Sequence, residues 1–162
     1  MPPGAAIEPL RLFRTLMLHD GLAARMRPLG AGILGKAATV PVRLREVMIE
    51  RTCALTGAEY EWGVHAAAFA GAAGLAGEHL HSTVRGGPDD GCWGPRESAV
   101  IRLADELHRT STISDELWEA LRAGFGQEQI IELIVTAGWY HVIAYLCNGI
   151  RLELEPWGQR FP

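Results

Sequence analysis

The sequence has 162 residues, with 15 lysines and arginines against 19 aspartates and glutamates, and a formal net charge of −4 when the histidines are neutral. Its 48% hydrophobic and 21% charged residues are typical of a globular protein, which excludes a disordered or fibrous chain. The three cysteines, Cys53, Cys92 and Cys147, are odd in number and far apart, which disfavours a disulfide scaffold or a zinc ribbon. We predict one domain over residues 1–162, with an internal loop at 86–94 between two helical halves.

Charge and hydropathy also predict the partners and the cellular location of the protein. The small acidic excess gives no electrostatic reason to bind nucleic acid. The longest apolar stretches are interrupted by Lys36, His65 or Glu78, so no membrane span is expected. The N-terminus, in which Pro2 and Pro3 suit a frayed start, lacks the charged-then-apolar order of a signal peptide. We therefore expect a soluble, cytoplasmic protein.

Helical spacing of apolar residues dominates the chain, and no window alternates long enough to predict a strand, so the predicted class is all-α. The second helix is expected to break near Pro28 and the glycines after it, and the tail from Glu153 to Trp157 is expected to lie extended against the fold. Eight helices are predicted, at about residues 8–19, 21–26, 41–55, 59–73, 78–84, 95–109, from 114 onwards and 127–148.

The third predicted helix carries an acid inside an apolar stripe. At about 100° per residue, Glu46 falls on the same side as Val42, Ile49 and Cys53. A buried carboxylate costs several kcal/mol unless it is paired, hydrogen-bonded or protonated. Glu46 is therefore either a structural ion pair between helices or part of a functional site.

The fourth predicted helix brings a carboxylate to an imidazole. One of its faces carries Glu61, His65, Ala68 and Ala72. The i,i+4 spacing places Glu61 within reach of His65, which raises the basicity of the ring and fixes its tautomer. Trp62 and Phe69 lie beside this face and can form an apolar wall. The alanines leave room for a pocket or for the close packing of another helix, and small residues favour packing.

These residues together resemble a known superfamily. The segments that carry the resemblance are Leu44-Arg45-Glu46, Glu59-Tyr60-Glu61-Trp62-Gly63-Val64-His65 and Ala73-Gly74-Leu75. They are similar to the carboxymuconolactone decarboxylase and AhpD-like superfamily. The resemblance implies an AhpD-like domain of about seven to eight helices. It also implies assembly into a trimer or hexamer, with the active site near the subunit interface.

The AhpD branch of that superfamily uses a Glu, a Cys-x-x-Cys pair and a His four residues beyond the second Cys. Glu46 and His65 match the Glu and the His, but Ala58 and Glu61 stand at the two cysteine positions, with Tyr60 between them. Thiol–disulfide exchange needs an attacking thiolate and a resolving thiol, which neither Ala58 nor Glu61 can supply. The sequence therefore excludes the AhpD-type peroxidase mechanism at this motif.

The groups that replace the thiols are suited to proton transfer. Two carboxylates near one imidazole have their protonation equilibria driven apart, so that one group can act as acid and another as base. We predict His65, Glu61, Glu46 and Tyr60 as catalytic residues. The resemblance to the decarboxylase branch implies a lyase or isomerase that needs no cofactor. Arg45 and Arg51 are candidates for binding a substrate carboxylate. The predicted substrate-binding residues are Trp62, Phe69, Cys53 and His141.

Two other functions remain open at this stage. Cys53 could react with peroxide, although it has no second cysteine near it in the sequence, and a lone cysteine on an apolar face is usually core. The protein could instead be a non-catalytic, oligomeric small-molecule binder whose Glu46, Glu61 and His65 only hold helices together. A metal site with Glu61 and His65 is disfavoured because the Glu-x-x-His signature of di-iron bundles is missing. The expected partners are a small-molecule substrate and further copies of the chain.

Overall fold

A computed structural model describes residues 8–162, which are all helical or irregular, with no strand among them. This confirms the all-α class. The predicted frayed start at Pro2 and Pro3 lies outside the described residues. So does most of the N-terminal segment from which the absence of a signal peptide was predicted. A 3₁₀ turn at Met17–His19 separates the first two helices. The α-helices are α1 Arg11–Leu16, α2 Asp20–Leu34, α3 Val42–Leu55, α4 Glu59–Ala68, α5 Ala70–Ala73, α6 Gly77–Arg85, α7 Pro95–Thr110, α8 Asp115–Gly124 and α9 Gln127–Ile150.

Helix α3 is the centre of the fold. It packs against α4, α6, α7 and α9. All seven residues from Leu44 to Glu50 are buried, and Cys53 is also fully buried. A helix that is covered on several sides must bury its polar residues along with its apolar ones. The position of α3 therefore explains why Glu46 and Glu50 lie inside the protein.

The predicted end of the second helix near Pro28 is wrong. Helix α2 continues through Pro28 to Leu34. Its buried Ile33 anchors it, and Gly30 lies so close to α9 that a Cβ there would be 3.3 Å from Cζ2 of Trp139. Packing against α9 thus outweighs the hydrogen bond lost at the proline and the low helix propensity of glycine.

The fourth predicted helix is divided at Phe69. Its φ and ψ of −120° and −22° interrupt the helix between α4 and α5, and the chain then ends α5 at Gly74, whose φ is +66°. Ala70 and Ala73 after the break are buried, whereas Ala68 before it and Ala72 after it are exposed. No other helix within residues 8–162 therefore packs closely on the alanine face.

The C-terminal tail is bound to α4 through Gln159. The backbone N–H of Gln159 donates to the carbonyl of Gly63 at 3.0 Å, and its side-chain amide donates to the carbonyl of Ala66 at 3.0 Å. A Cβ at Gly63 would lie only 2.1 Å from the carbonyl oxygen of Gln159. The close approach of the two backbones therefore requires a glycine at this position.

Helix α9 is long and strongly apolar. Within residues 8–162 it is the one helix whose length and hydropathy would suit a membrane span, which the sequence prediction overlooked. The same properties are typical of a core helix, and 44% of that stretch is buried inside the fold. Tyr140 and Cys147 are among its buried residues and lie on the side that faces the core.

Candidate functional site

The candidate site lies where α3, α4 and α9 meet, and its central contact joins Glu46 of α3 to His65 of α4. The Nδ1 atom of His65 lies 2.7 Å from Oε2 of Glu46, and the two side chains are 3% and 0% exposed. The other carboxylate oxygen, Oε1, accepts a hydrogen bond of 3.1 Å from Nε of the buried Arg45. Glu46 is therefore paired at both oxygens, and it fixes the orientation of the imidazole.

The second ring nitrogen of His65 faces a hydroxyl and another carboxylate. Its Nε2 lies 3.0 Å from the hydroxyl of Tyr140 on α9 and 3.5 Å from Oε1 of Glu61, one turn earlier on α4. When the ring is protonated, Nδ1–H donates to Glu46 and Nε2–H donates to Tyr140. The predicted approach of Glu61 to His65 is thus present in the structure.

The environment of His65 favours the charged form of its ring. Burial alone lowers the pKa of His65, but the hydrogen bonds and charges of Glu46 and Glu61 outweigh burial and raise it to about 10. The ring is therefore an imidazolium at neutral pH. It can donate a proton and stabilise negative charge on a nearby atom, which are the properties of a general acid.

The side chain of Phe69 covers the imidazole. Its ring lies 4.9 Å from the ring of His65, between centroids, with 36° between the two planes. Phe69 is half-buried, whereas Ala67 and Ala68 just before it are exposed. Phe69 lies at the break between α4 and α5 and shields the ring of His65, whose side chain is 3% exposed. Two surface cavities of about 330 and 380 Å³ lie elsewhere on the molecule.

The site contains one acid that sequence reasoning missed. Glu50 follows Glu46 by one turn of α3 and is fully buried, and neither of its oxygens has a hydrogen-bond partner in the described part of the chain. The Oε2 atom of Glu61 is unpartnered in the same way. Because Glu50 follows Glu46 at i,i+4 spacing, the sequence could have predicted that both carboxylates lie on the same side of α3.

The structure does not bring Tyr60 to His65. The Tyr60 hydroxyl accepts a hydrogen bond of 3.1 Å from the backbone N–H of Leu12 and donates one of 2.7 Å to Oε1 of Glu155. It thereby connects α4 to α1 and the tail. The hydroxyl that contacts the imidazole belongs to Tyr140, 75 residues further along the chain from His65, which local spacing could not reveal.

Two of the predicted substrate-binding residues also have other partners. Trp62 is 1% exposed, and its indole N–H donates to Oγ1 of Thr83 at 3.1 Å. His141 donates from Nδ1 to the carbonyl of Ala137 at 2.8 Å, and its Nε2 lies 3.0 Å from Nδ1 of His108. Trp62 is therefore a core residue on the side of α6, and His141 belongs to a separate pair of histidines.

Neither arginine proposed for a substrate carboxylate is free. Arg45 is bound to Glu46, and Arg51 is bound to both oxygens of Asp105 and to two backbone carbonyls. Both guanidinium groups are therefore engaged within the fold.

Cys53 is fully buried on α3, the helix that also carries Glu46 and Glu50. Burial raises the pKa of its thiol well above the ordinary value, and the charges of Glu61, Glu50, Cys147 and Glu46 raise it further. The thiolate, which is the reactive form, is therefore disfavoured at neutral pH.

The acids and the imidazole are not arranged as a metal site. Across residues 8–162, no three or more histidine, cysteine, aspartate or glutamate side chains are grouped so that they could hold a metal ion. Instead, the hydrogen bonds connect Arg45, Glu46, His65 and Tyr140 in a chain that leads from α3 through α4 to α9.

A comparison with solved structures found the same fold in another protein. A protein from Agrobacterium tumefaciens, described as of unknown function and as a candidate antioxidant defence protein AhpD, superposes with a TM-score of 0.78. It is 15% identical, and the match covers 87% of this chain and 95% of that chain. No protein-family model and no curated protein matches the sequence.

At this identity the likeness shows the fold alone. The fold and the site therefore define an all-α protein with an AhpD-like fold, in which a buried Glu46–His65 pair is present without the Cys-x-x-Cys motif.

Proposed function

We propose that this protein is a cofactor-independent acid–base enzyme of the decarboxylase, isomerase or lyase type, acting on a small carboxylated or lactone substrate. The observation that carries the proposal is a buried imidazole with partners at both nitrogens. His65 contacts Glu46 at 2.7 Å and Tyr140 at 3.0 Å, and the second carboxylate, Glu61, is 3.5 Å away.

The roles of these groups follow from their charges. Glu46 orients the ring and stabilises its positive charge, while the Nε2–H of His65 is the proton to be donated. In the decarboxylation of a β-keto acid, the bond between the α-carbon and the carboxylate breaks, CO2 leaves, the electron pair forms an enolate, and the Nε2 proton of His65 is transferred to that carbon. In the isomerisation of an unsaturated carbonyl compound, the unpartnered oxygen of Glu61 removes a proton from the carbon beside the carbonyl to give a dienolate, and the same oxygen returns the proton to the far end of the dienolate. Proton transfer of this kind contributes about 10²–10⁴ to a rate.

The unpartnered carboxyl oxygens favour a reactive site over a purely structural network. Groups that only hold helices together are normally satisfied by their neighbours, because an unpartnered buried polar atom costs about 1–3 kcal/mol. In this site Oε2 of Glu61 and both oxygens of Glu50 have no partner among residues 8–162.

A second candidate is a non-catalytic, oligomeric small-molecule binder. It is favoured by the direct 2.7 Å contact between Glu46 and His65, which leaves no space for a ligand between them, and by the Phe69 ring over the imidazole. The peroxidase alternative has weaker support because Cys53 is fully buried and its thiol pKa is raised.

A turnover screen with matched variants separates these functions. The wild-type protein would be incubated with small lactones, β-keto acids and unsaturated carboxylic acids, and products would be followed by mass spectrometry. We expect H65Q and E61Q to lose at least about 100-fold in kcat/KM on any substrate that the wild type converts, with H81Q, a change at an exposed histidine, as control. Equal rates for H65Q and wild type would contradict the proposal. Tight binding of a compound without conversion would favour the second candidate.

We further propose that copies of this chain associate through the outer faces of α2 and α9. Large apolar side chains are exposed on both helices, namely Leu29, Leu34, Ile131, Val135 and Val142. Part of this surface lines the cavity of about 380 Å³ between the two helices. Contiguous exposed apolar surface of this kind marks interaction sites. Light scattering is expected to give a trimer or hexamer that I131E dissociates, and a wild-type monomer would contradict this.

A further inference from the structure

Glu50 is the group in the interior that the proposed chemistry does not use. It is fully buried on α3, and its two oxygens have no hydrogen-bond partner among the residues that the structure describes. Removing a carboxylate from water without a partner is so unfavourable that such groups take up a proton instead.

The buried ion-pair cluster beside Glu50 has no net charge when Glu50 is left out. Arg45 and the imidazolium of His65 supply two positive charges, and Glu46 and Glu61 supply two negative ones. An ionised Glu50 would add a third negative charge to this buried cluster. Burial raises the pKa of Glu50 well above its ordinary value, and of its neighbours His65 lowers it while Glu46 and Glu61 raise it.

Three further titratable groups of the packed interior are uncharged at neutral pH. They are Cys53, three residues after Glu50 on α3, and Tyr140 and Cys147 on the buried side of α9, which packs against α3. Burial is the main cause that raises the pKa of each. None of them supplies a positive charge that would stabilise an ionised Glu50.

We propose that Glu50 is a neutral carboxylic acid at neutral pH and a positioning residue for His65, because by staying uncharged it keeps the imidazolium proton transferable. A negative charge in the same interior would stabilise the imidazolium and hold its proton more tightly. The neutral state of Glu50 stands on its burial and the local charge balance. Its effect on His65 rests on the proposed function, in which His65 donates a proton.

The stability test uses E50Q, a neutral variant of the same shape, with E78Q at an exposed position of α6 as control. Unfolded Glu50 loses its proton above about pH 4.5, whereas the folded protein keeps it, so each further pH unit destabilises the wild type through this group. We therefore expect the folding equilibrium constant of E50Q, relative to wild type, to rise about tenfold per pH unit between about pH 5 and 7. A ratio that does not change with pH overturns the proposal.

Infrared spectroscopy tests the same proton directly. At pH 7 the wild type and the control E78Q should show the C=O stretch of a protonated carboxylic acid, and E50Q should lack it. A wild-type spectrum without this band overturns the proposal, whether or not E50Q folds.

The effect on His65 has its own readout. In the wild type, ionisation of Glu50 at alkaline pH makes His65 a poorer donor, so kcat falls. E50Q cannot ionise at this position, so this fall should be absent and only the fall caused by deprotonation of His65 itself should remain; an alkaline profile identical to that of the wild type overturns the positioning role. If the wild type converts no substrate, the proposed function fails, while the stability and infrared results still decide the protonation of Glu50.

Discussion

Replacement of His65 by glutamine should remove a large pH-dependent part of the stability of this protein. The pKa of the ring is 6.5 in an unfolded chain and about 10 in the fold, where Glu46 and Glu61 stabilise the imidazolium. Because one pKa unit corresponds to about 1.4 kcal/mol, the protonated ring contributes about 5 kcal/mol, an order-of-magnitude figure. A folded-state pKa above the unfolded value means that this contribution is complete below pH 6.5 and is lost as the pH rises to about 10.

Urea unfolding of wild type and H65Q at intervals from pH 6 to pH 10 measures this effect. The free energy of unfolding of the wild type should fall toward that of H65Q, closing a gap of several kcal/mol. The buried thiols of Cys53 and Cys147 also destabilise the fold at alkaline pH, but both proteins contain them and His65 is not among the groups that shift their pKa, so they cancel in the difference. A difference that stays constant over this range would refute the assignment of an imidazolium to His65.

Three further predictions concern the surroundings of the site. Gly63→Ala should displace the tail, because its Cβ would lie 2.1 Å from the carbonyl oxygen of Gln159, and limited proteolysis should then cleave the tail at least tenfold faster than in wild type. Tyr140→Phe should cost about 1 kcal/mol of unfolding free energy in urea titrations by removing the hydrogen bond to His65, and an unchanged value would contradict that bond. Cys92 is the partly exposed cysteine, so a thiol reagent should modify it in the native protein and modify the two buried cysteines only after unfolding.

Much of the site follows from helical spacing. The i,i+4 relation of Glu61 to His65 is a local property of α4 and is present in the structure. The burial of Glu46 was expected from an apolar stripe, but Val42 of that stripe is exposed, and α3 is instead buried on all sides from Leu44 to Glu50. The resemblance to the superfamily assigned Glu46 and His65 to one motif, and in the structure the two side chains are in contact although they lie 19 residues apart and on different helices. What local spacing and a short motif encode was therefore predictable.

The rest depends on contacts between distant parts of the chain. Tyr60 is the tyrosine closest in sequence to His65, but its hydroxyl is hydrogen-bonded to α1 and to the tail. The hydroxyl that contacts His65 belongs to Tyr140 on α9. Likewise, Pro28 does not end α2, because packing against α9 outweighs its local effect. Which tyrosine reaches the imidazole, and whether a proline ends a helix, are decided by tertiary packing, which spacing in one sequence does not encode.

The protonation state of His65 is the central claim, since the proposed chemistry starts from its imidazolium. Nitrogen NMR of protein labelled in the histidine rings, with H65Q used to assign the signal, reports directly whether one or both ring nitrogens carry a proton. We expect both nitrogens of His65 to be protonated from pH 6 to about pH 9, with the titration centred near pH 10. A ring with only one protonated nitrogen at pH 7 would contradict the account.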